Sequence, residues 1–152
     1  KLVYFPPDEY EQALEYIRLR PNMNIVVRVV AAQNIVAGEV APVHFVMFDN
    51  ALVFRKGDEI TSGLIESKLT QPEIEQKLKT LLSHVNEIAM NKGVIPDAAG
   101  HVGDVSYSQI TDIATKIKKQ KGTVNLHILA AEDTYNIGPL LINFSLSTNH
   151  GI

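Results

Sequence analysis

The strongest constraint on this chain's fold is that one stretch of it returns at a fixed distance. Val27-Arg28-Val29-Val30-Ala31-Ala32-Gln33-Asn34 recurs in pattern as Leu126-His127-Ile128-Leu129-Ala130-Ala131-Glu132-Asp133, so that Ala31 falls on Ala130, a shift of 99 positions. The same shift lays Val43-His44-Phe45-Val46-Met47 on Ile142-Asn143-Phe144-Ser145-Leu146, and Asn50 on Asn149. Few residues are identical; what recurs is alternation. Period two puts Val27, Val29 and Ala31 on one strand face, matched by Leu126, Ile128 and Ala130, with Arg28 and His127 on the opposite face. Two unrelated amphipathic hairpins would share part of this pattern, since alternation belongs to every half-buried strand.

At 152 residues the chain is one domain's worth, able to bury about two-thirds of its unfolded surface. A hydrophobic fraction of 45% with 20% charged residues is that of an ordinary globular protein. The formal net charge of −3 gives no bulk attraction for nucleic acid or anionic lipid. With no cysteine, disulfides and thiolate chemistry are excluded and the redox compartment stays open. No apolar run approaches the roughly 20 residues that span a bilayer. Neither an initiator methionine nor a signal peptide precedes Lys1, which reads as the start of a fragment.

Leu2 to Phe5 reads as a strand end closed by Pro6-Pro7. Asp8 is the expected N-cap of a helix with Tyr10, Ala13, Leu14 and Ile17 in one stripe, stopped at Pro21-Asn22. Strands are expected over Ile25 to Ala32, Val40 to Asp49, Ala51 to Arg55 and Ile60 to Ile65. Asp49-Asn50 and Lys56-Gly57-Asp58 are their turns, and the close spacing argues for antiparallel pairing. Thr70-Gln71-Pro72-Glu73 is a capping box. It opens a long helix with Ile74, Leu78, Leu81, Leu82, Val85, Ile88 and Ala89 in its stripe, which places Leu81, Leu82 or both in the core. A second box, Ser106-Tyr107-Ser108-Gln109, opens a helix with Ile110, Ile113, Ala114 and Ile117 inward, and two strands finish the chain. Tyr10-Glu11-Gln12 then sits in its helix roughly as Tyr107-Ser108-Gln109 does in the other. The second copy reaches Ile152, opposite Val53, just where a third strand is due, which predicts that the parent protein continues.

Candidate chemistry competes with plainer explanations. Asp97, His101 and Asp104 share a Gly-rich loop, and carboxylates with an imidazole are a legitimate zinc or manganese set. Each also has a sufficient local role. Pro96-Asp97 is turn chemistry, Asp104 or Ser106 caps the next helix, and His101 is a loop residue. Lys116, Lys118, Lys119 and Lys121 form a basic helix end, but lysines there complement the dipole and no aromatic residues interleave with them. Gly57-Asp58 lacks a P-loop context and is read as a turn. Glu132-Asp133 and Gln33-Asn34 occupy equivalent loop starts, where a paired site would compete with simple turn formation. His84 lies on the polar side of its helix stripe, His150 near the chain end, and His44 and His127 on outward strand faces. No serine stands in a recognisable activated setting.

The run Val29-Val30-Ala31-Ala32-Gln33-Asn34, Gly38-Glu39 and Asn50-Ala51-Leu52-Val53-Phe54-Arg55-Lys56-Gly57-Asp58 resembles the C-terminal region of an uncharacterised bacterial family that carries a myosin-like label. Gly93-Val94-Ile95-Pro96-Asp97 and Gly100-His101-Val102-Gly103 fit as well. The likeness covers Ile25 to Ile152, with Lys1 to Asn24 looser. It implies hydrophobic N-terminal segments, a long coiled coil and then a globular part, in a membrane-tethered, self-associating protein of the cell envelope. It carries no catalytic residues.

The expected fold is therefore α+β: antiparallel strands with helices on one face, in one domain built from two related helix-strand-strand units, approximately 8–53 and 105–152. The first functional expectation is a non-catalytic interaction domain that takes a protein partner or its own copy. It needs no cofactor and no nucleic acid, and it meets a membrane only through segments outside this chain. A metal-dependent hydrolase or nuclease using the 97–104 loop is the second, and a weak nucleic-acid or anionic-lipid binder through Lys116 to Lys121 the third.

Overall fold

A computed structural model describes residues 3–103 and 105–148. The chain divides into two compact units, Lys1–Ala51 and Leu52–Ile152. Among the described residues there are three helices and eight strands, paired mainly antiparallel, so the fold is α+β.

The first unit runs β1 (Val3–Tyr4), α1 (Pro7–Arg18), β2 (Ile25–Ala31) and β3 (Ala41–Asp49). Helix α1 starts one residue before the expected cap. Pro7 takes the first helical position, where a missing N–H costs nothing, and Asp8 and Glu9 lie in the first turn, favoured by the dipole. Strand β3 is central, with β1 parallel on one edge and β2 antiparallel on the other. Phe5 stacks on Phe45, ring centroids 5.0 Å apart. Arg20 lies over the Tyr16 ring at 3.7 Å and pairs with Asp49 at 3.6 Å, tying α1 to the end of β3.

Burial in this unit departs from the alternation, which predicts that Val27, Val29 and Phe45 are buried. Val27 and Val29 are 43% and 55% exposed, while Ala13 and Val43 are buried. Arg28 is exposed as well, and Phe45 is half-buried. The alternation is present, but β2 is the outer strand and the unit has a single helix of 12 residues. One such helix does not cover a seven-residue strand at the far edge of the sheet.

The second unit holds β4 (Leu52–Phe54), β5 (Glu59–Glu66), α2 (Gln71–Asn91), α3 (Tyr107–Lys118), β6 (Thr123–Ala130), β7 (Thr134–Tyr135) and β8 (Ile142–Thr148). Its sheet has the order β5-β6-β8, antiparallel throughout. β4 and β5 do not pair with each other, as close spacing alone would predict; β4 pairs with β7 and β5 with β6. The turn between them is closed by Asp58 N–H to the Arg55 carbonyl (3.0 Å) and by Arg55 N–H to Asp58 Oδ2 (2.8 Å). Gly57 supplies the positive φ, 88°, that the turn requires.

Central strand β6 alternates fully. Val124, Leu126, Ile128 and Ala130 are buried, while Asn125, His127 and Leu129 are half-exposed on the open side. Against the buried face lie α2, through Ile74, Leu78, Val85 and Ala89, and α3, through Ile110, Ile113, Ala114 and Ile117. Leu81 and Leu82 flank this line and are half-buried rather than central. Consecutive helical residues diverge by about 100°, so the two cannot both aim inward. Leu81 rests on Gly63 of β5, where a β-carbon would come within 2.9 Å of its methyl groups.

Both capping motifs form. Ser106 N–H donates to the Gln109 side chain at 2.9 Å, and Gln109 N–H returns to Ser106 Oγ at 3.2 Å. The Thr70 hydroxyl and N–H both donate to Glu73 Oε2 at 2.7 Å, which holds the Glu73 carboxyl below its ordinary value.

The two hairpins have one register. In the first, Ile25 stands opposite Asp49 and Ala31 opposite Val43; in the second, Val124 opposite Thr148 and Ala130 opposite Ile142. Every pair of one maps onto a pair of the other under the shift of Ala31 to Ala130. The loops close alike, with Ala32 N–H on the Pro42 carbonyl (2.9 Å) and Ala131 N–H on that of Leu141 (2.8 Å).

Candidate functional site

The loop that follows α2 is built by its own polar groups. Gly93, at φ 104°, ends the helix. Asn136 donates from Nδ2 to the Gly93 carbonyl (2.7 Å) and accepts Ile95 N–H on its backbone oxygen (2.7 Å). From α2, Asn86 sends Nδ2 to the Gly100 carbonyl (3.2 Å) and accepts Val102 N–H on Oδ1 (3.0 Å), acting as a peptide group would. Leu140 N–H then meets the Val102 carbonyl at 2.7 Å. Val94, Val102 and Leu140 are consequently buried, so the loop is an anchored strap with an apolar underside.

Asp97 serves this strap. Its Oδ1 accepts the N–H groups of His101 (2.9 Å) and Ala99 (2.8 Å), and these donors, His101 first, hold its carboxyl below the ordinary value of 3.8. His101 is exposed at the rim, and Asp104 lies outside the described residues. Both lone pairs of Asp97 Oδ1 are thus engaged by backbone. Among the described residues no three metal-capable side chains come together. The depressed value has a definite sign. The loop's extra stability from Asp97 is present above the unfolded value and is lost as pH falls through the folded one. An NMR titration should place the Asp97 carboxyl midpoint below 3.8, and Asp97→Ala should raise amide exchange at Ala99 and His101. A midpoint at or above 3.8 would show that the N–H contacts do not hold.

Beside the strap, α2 leaves a groove of about 540 Å³ bordered by Leu82, Met90, His101, Val105, Leu140 and Ile142. It lies within the size range of small-ligand sites, and its lining is mostly apolar.

A third feature, on the open face of the β5-β6-β8 sheet, is one that sequence reading missed. His127 Nδ1 lies 2.8 Å from Glu59 Oε2, and its Nε2 lies 3.1 Å from both Ser147 Oγ and Asn125 Nδ2. The contact with His127 lowers the Glu59 carboxyl from its ordinary value. Carboxylate, imidazole and hydroxyl stand in the order of a nucleophilic triad. However, the single lone pair on Nε2 that would take the Ser147 proton is also met by the Asn125 amide. The network joins three strands, and its chemistry is that of a polar clasp across the sheet. The signal was available: Asn125, His127, Ser145 and Ser147 all fall on outward positions of strands expected to pair.

The remaining candidates have local partners or lie at the surface. Lys118 donates to the Leu69 carbonyl at 2.7 Å, and Lys116, Lys119 and Lys121 are exposed at the helix end. Asp133 Oδ1 accepts Lys56 N–H at 2.8 Å, steadying the Arg55–Asp58 turn. Gln33 and Asn34 are exposed. His84 lies 3.6 Å from Glu87, His44 is half-buried on β3, and His150 is outside the described residues. No helix among the described residues is long and apolar enough to cross a membrane.

A family model covers nearly all of the second unit. Residues 54–152 match the model of the DUF3084-associated C-terminal helical hairpin. The chain belongs to that family. The matched span contains both α2 and α3. The chain is also similar to the uncharacterized protein alr4393 of Nostoc sp. (strain PCC 7120), 26% identical over 144 residues. That alignment takes in 93% of this chain but only 27% of the Nostoc protein, so the chain spans about a quarter of the relative's length. No solved structure matches. Family membership brings no activity with it.

Proposed function

We propose that this chain is a non-catalytic interaction domain of a longer protein, in which a coiled coil and a membrane tether precede it. The observation that carries the reading is the valine face of β2. Val27 and Val29 are both exposed on one face of a short strand, and Tyr10 and Ile17 are exposed on α1 of the same unit. Clusters of this kind mark association surfaces. They lie beside a strand that forms the outer edge of its sheet, and such an edge offers unpaired N–H and C=O groups to a further strand. The chemistry therefore favours polypeptide as the partner. A net charge of −3 offers nothing comparable to nucleic acid. The membrane tether and coiled coil come from the family resemblance, and the Nostoc relative, of which the match takes up 27%, has the length to hold both.

Sedimentation velocity tests the reading. Over a 100-fold (order-of-magnitude) concentration range the 152-residue chain should show rising average mass as its open face self-associates. Val27→Lys combined with Val29→Lys should return it to monomer without changing its circular dichroism. A chain that stays monomeric throughout, and whose behaviour is indifferent to both lysines, would sink the proposal.

A further inference from the structure

We infer that the first unit is a copy of the second that lacks one strand and one long helix. In the intact protein, polypeptide N-terminal to Lys1 supplies both: a strand on the free edge of β2 and an amphipathic helix across α1 and the valine face. This rests on the interaction reading above and names the occupant of that surface.

Correspondence between the units extends beyond the hairpins. β1 places Val3 opposite Ala41, and the same shift gives Val102 and Leu140, which are hydrogen-bonded. Gly103, one shift from Pro42's partner Tyr4, runs against the Leu140 backbone so closely that a β-carbon there would collide with its carbonyl oxygen. The helices correspond too, one position later than the strands. Tyr10, Ala13, Leu14 and Ile17 match Ile110, Ile113, Ala114 and Ile117, so Tyr10 stands opposite Ile110 rather than Tyr107. The segment before the helix is one residue longer in the second unit and the one after it correspondingly shorter, which is where loops absorb such changes.

Matched positions then differ in one respect, which is what covers them. Ala13 and Ile113 are buried alike, at 6% and 7% exposure. Ile17 is 42% exposed whereas Ile117 is 0%, and Val29 is open whereas Ile128 is sealed. In the second unit the missing cover is known. β5 pairs along the outer edge of β6, with Ile65 opposite Val124, and α2 packs on β5 and α3. Strand β2 has the place of β6 but, among the described residues, no neighbour in the place of β5. A second copy pairing edge to edge through β2 would bring β2 and the 12-residue α1 again, not a 21-residue helix in the place of α2. In the second unit both elements are present, in the order strand then helix. β5 and α2 precede α3 in the chain. Moved back by one shift, Glu59 falls about 40 residues before Lys1, so the covering element belongs upstream.

Hydrogen exchange on the intact protein is the test, with the 152-residue chain as reference. In the intact protein the β2 amides that point away from β3 should exchange at least about 100-fold more slowly than in the reference, at any protein concentration. Val29→Lys in the intact protein should abolish that protection and leave β6 unchanged. The residues preceding Lys1 should also read as an alternating strand followed by an amphipathic helix of several turns. Protection that grows with concentration would mean a second copy occupies the face, overturning this inference while the interaction reading stands. Fast exchange at β2 in the intact protein, with no association, would overturn both.

Discussion

Ile128→Ala should cost the second unit about 2–5 kcal/mol, whereas Val29→Ala, at the matching place in the first, should cost less than about 1 kcal/mol. Ile128 is fully buried at the centre of β6, between Thr61 of β5 and Phe144 of β8 and beneath the helices. Truncation there removes three carbons from a packed interior and leaves a cavity whose walls are held by two neighbouring strands. Val29 has the same register position, but 55% of its surface already meets water. Urea denaturation with exchange read separately at β6 and β2 checks the pair. A loss at Val29 equal to that at Ile128 would show that the β2 face is covered in this chain, removing the observation on which the functional reading stands.

The contrast shows what the sequence could and could not express. Alternation at Val27, Val29 and Ala31 correctly predicts a strand, but the buried face it implies is absent, with Val27 and Val29 exposed. Whether a face is dry depends on what packs against it, and for β2 no such element lies among the described residues of its unit. Capping boxes at Thr70 and Ser106 were legible because the donor, the acceptor and their spacing are all local. Partner choice for β4 and β5 was not, since β7 and β6 lie more than 55 residues further along.

At the candidate site, the Gly-, Pro- and Asp-rich loop was legible as turn chemistry, and Asp97 takes the local role its neighbours imply. Asn86 was invisible. Nothing in a helical pattern marks one polar residue as the anchor of a loop 14 and 16 positions on. The clasp of Glu59, His127 and Ser147 joins residues separated by 68 and 20 positions; the expected pairing of the last two strands sets His127 near Ser147, but only the observed strand order adds Glu59.

Leu78→Ala should destabilise the second unit by about 2–5 kcal/mol, more than Leu81→Ala or Leu82→Ala. All three lie in one apolar stretch of α2, so hydropathy alone does not rank them. Position on the helix does. Ile74, Leu78, Val85 and Ala89 follow the spacing of a single buried line, and Leu78 is 1% exposed on it. Leu81 leans over Gly63 and Leu82 borders the groove beside the strap, where truncation leaves surface that water or a shifted side chain can fill. Removing Leu78 leaves a void between α2 and the sheet with no path for either. Equilibrium unfolding of the three variants gives the order. If Leu78→Ala costs less than about 1 kcal/mol, or if either flanking leucine costs more, the helix does not sit on β5 and β6 in this register. The template for the upstream element would then fall as well, because it is the placement of α2 that defines what the first unit lacks.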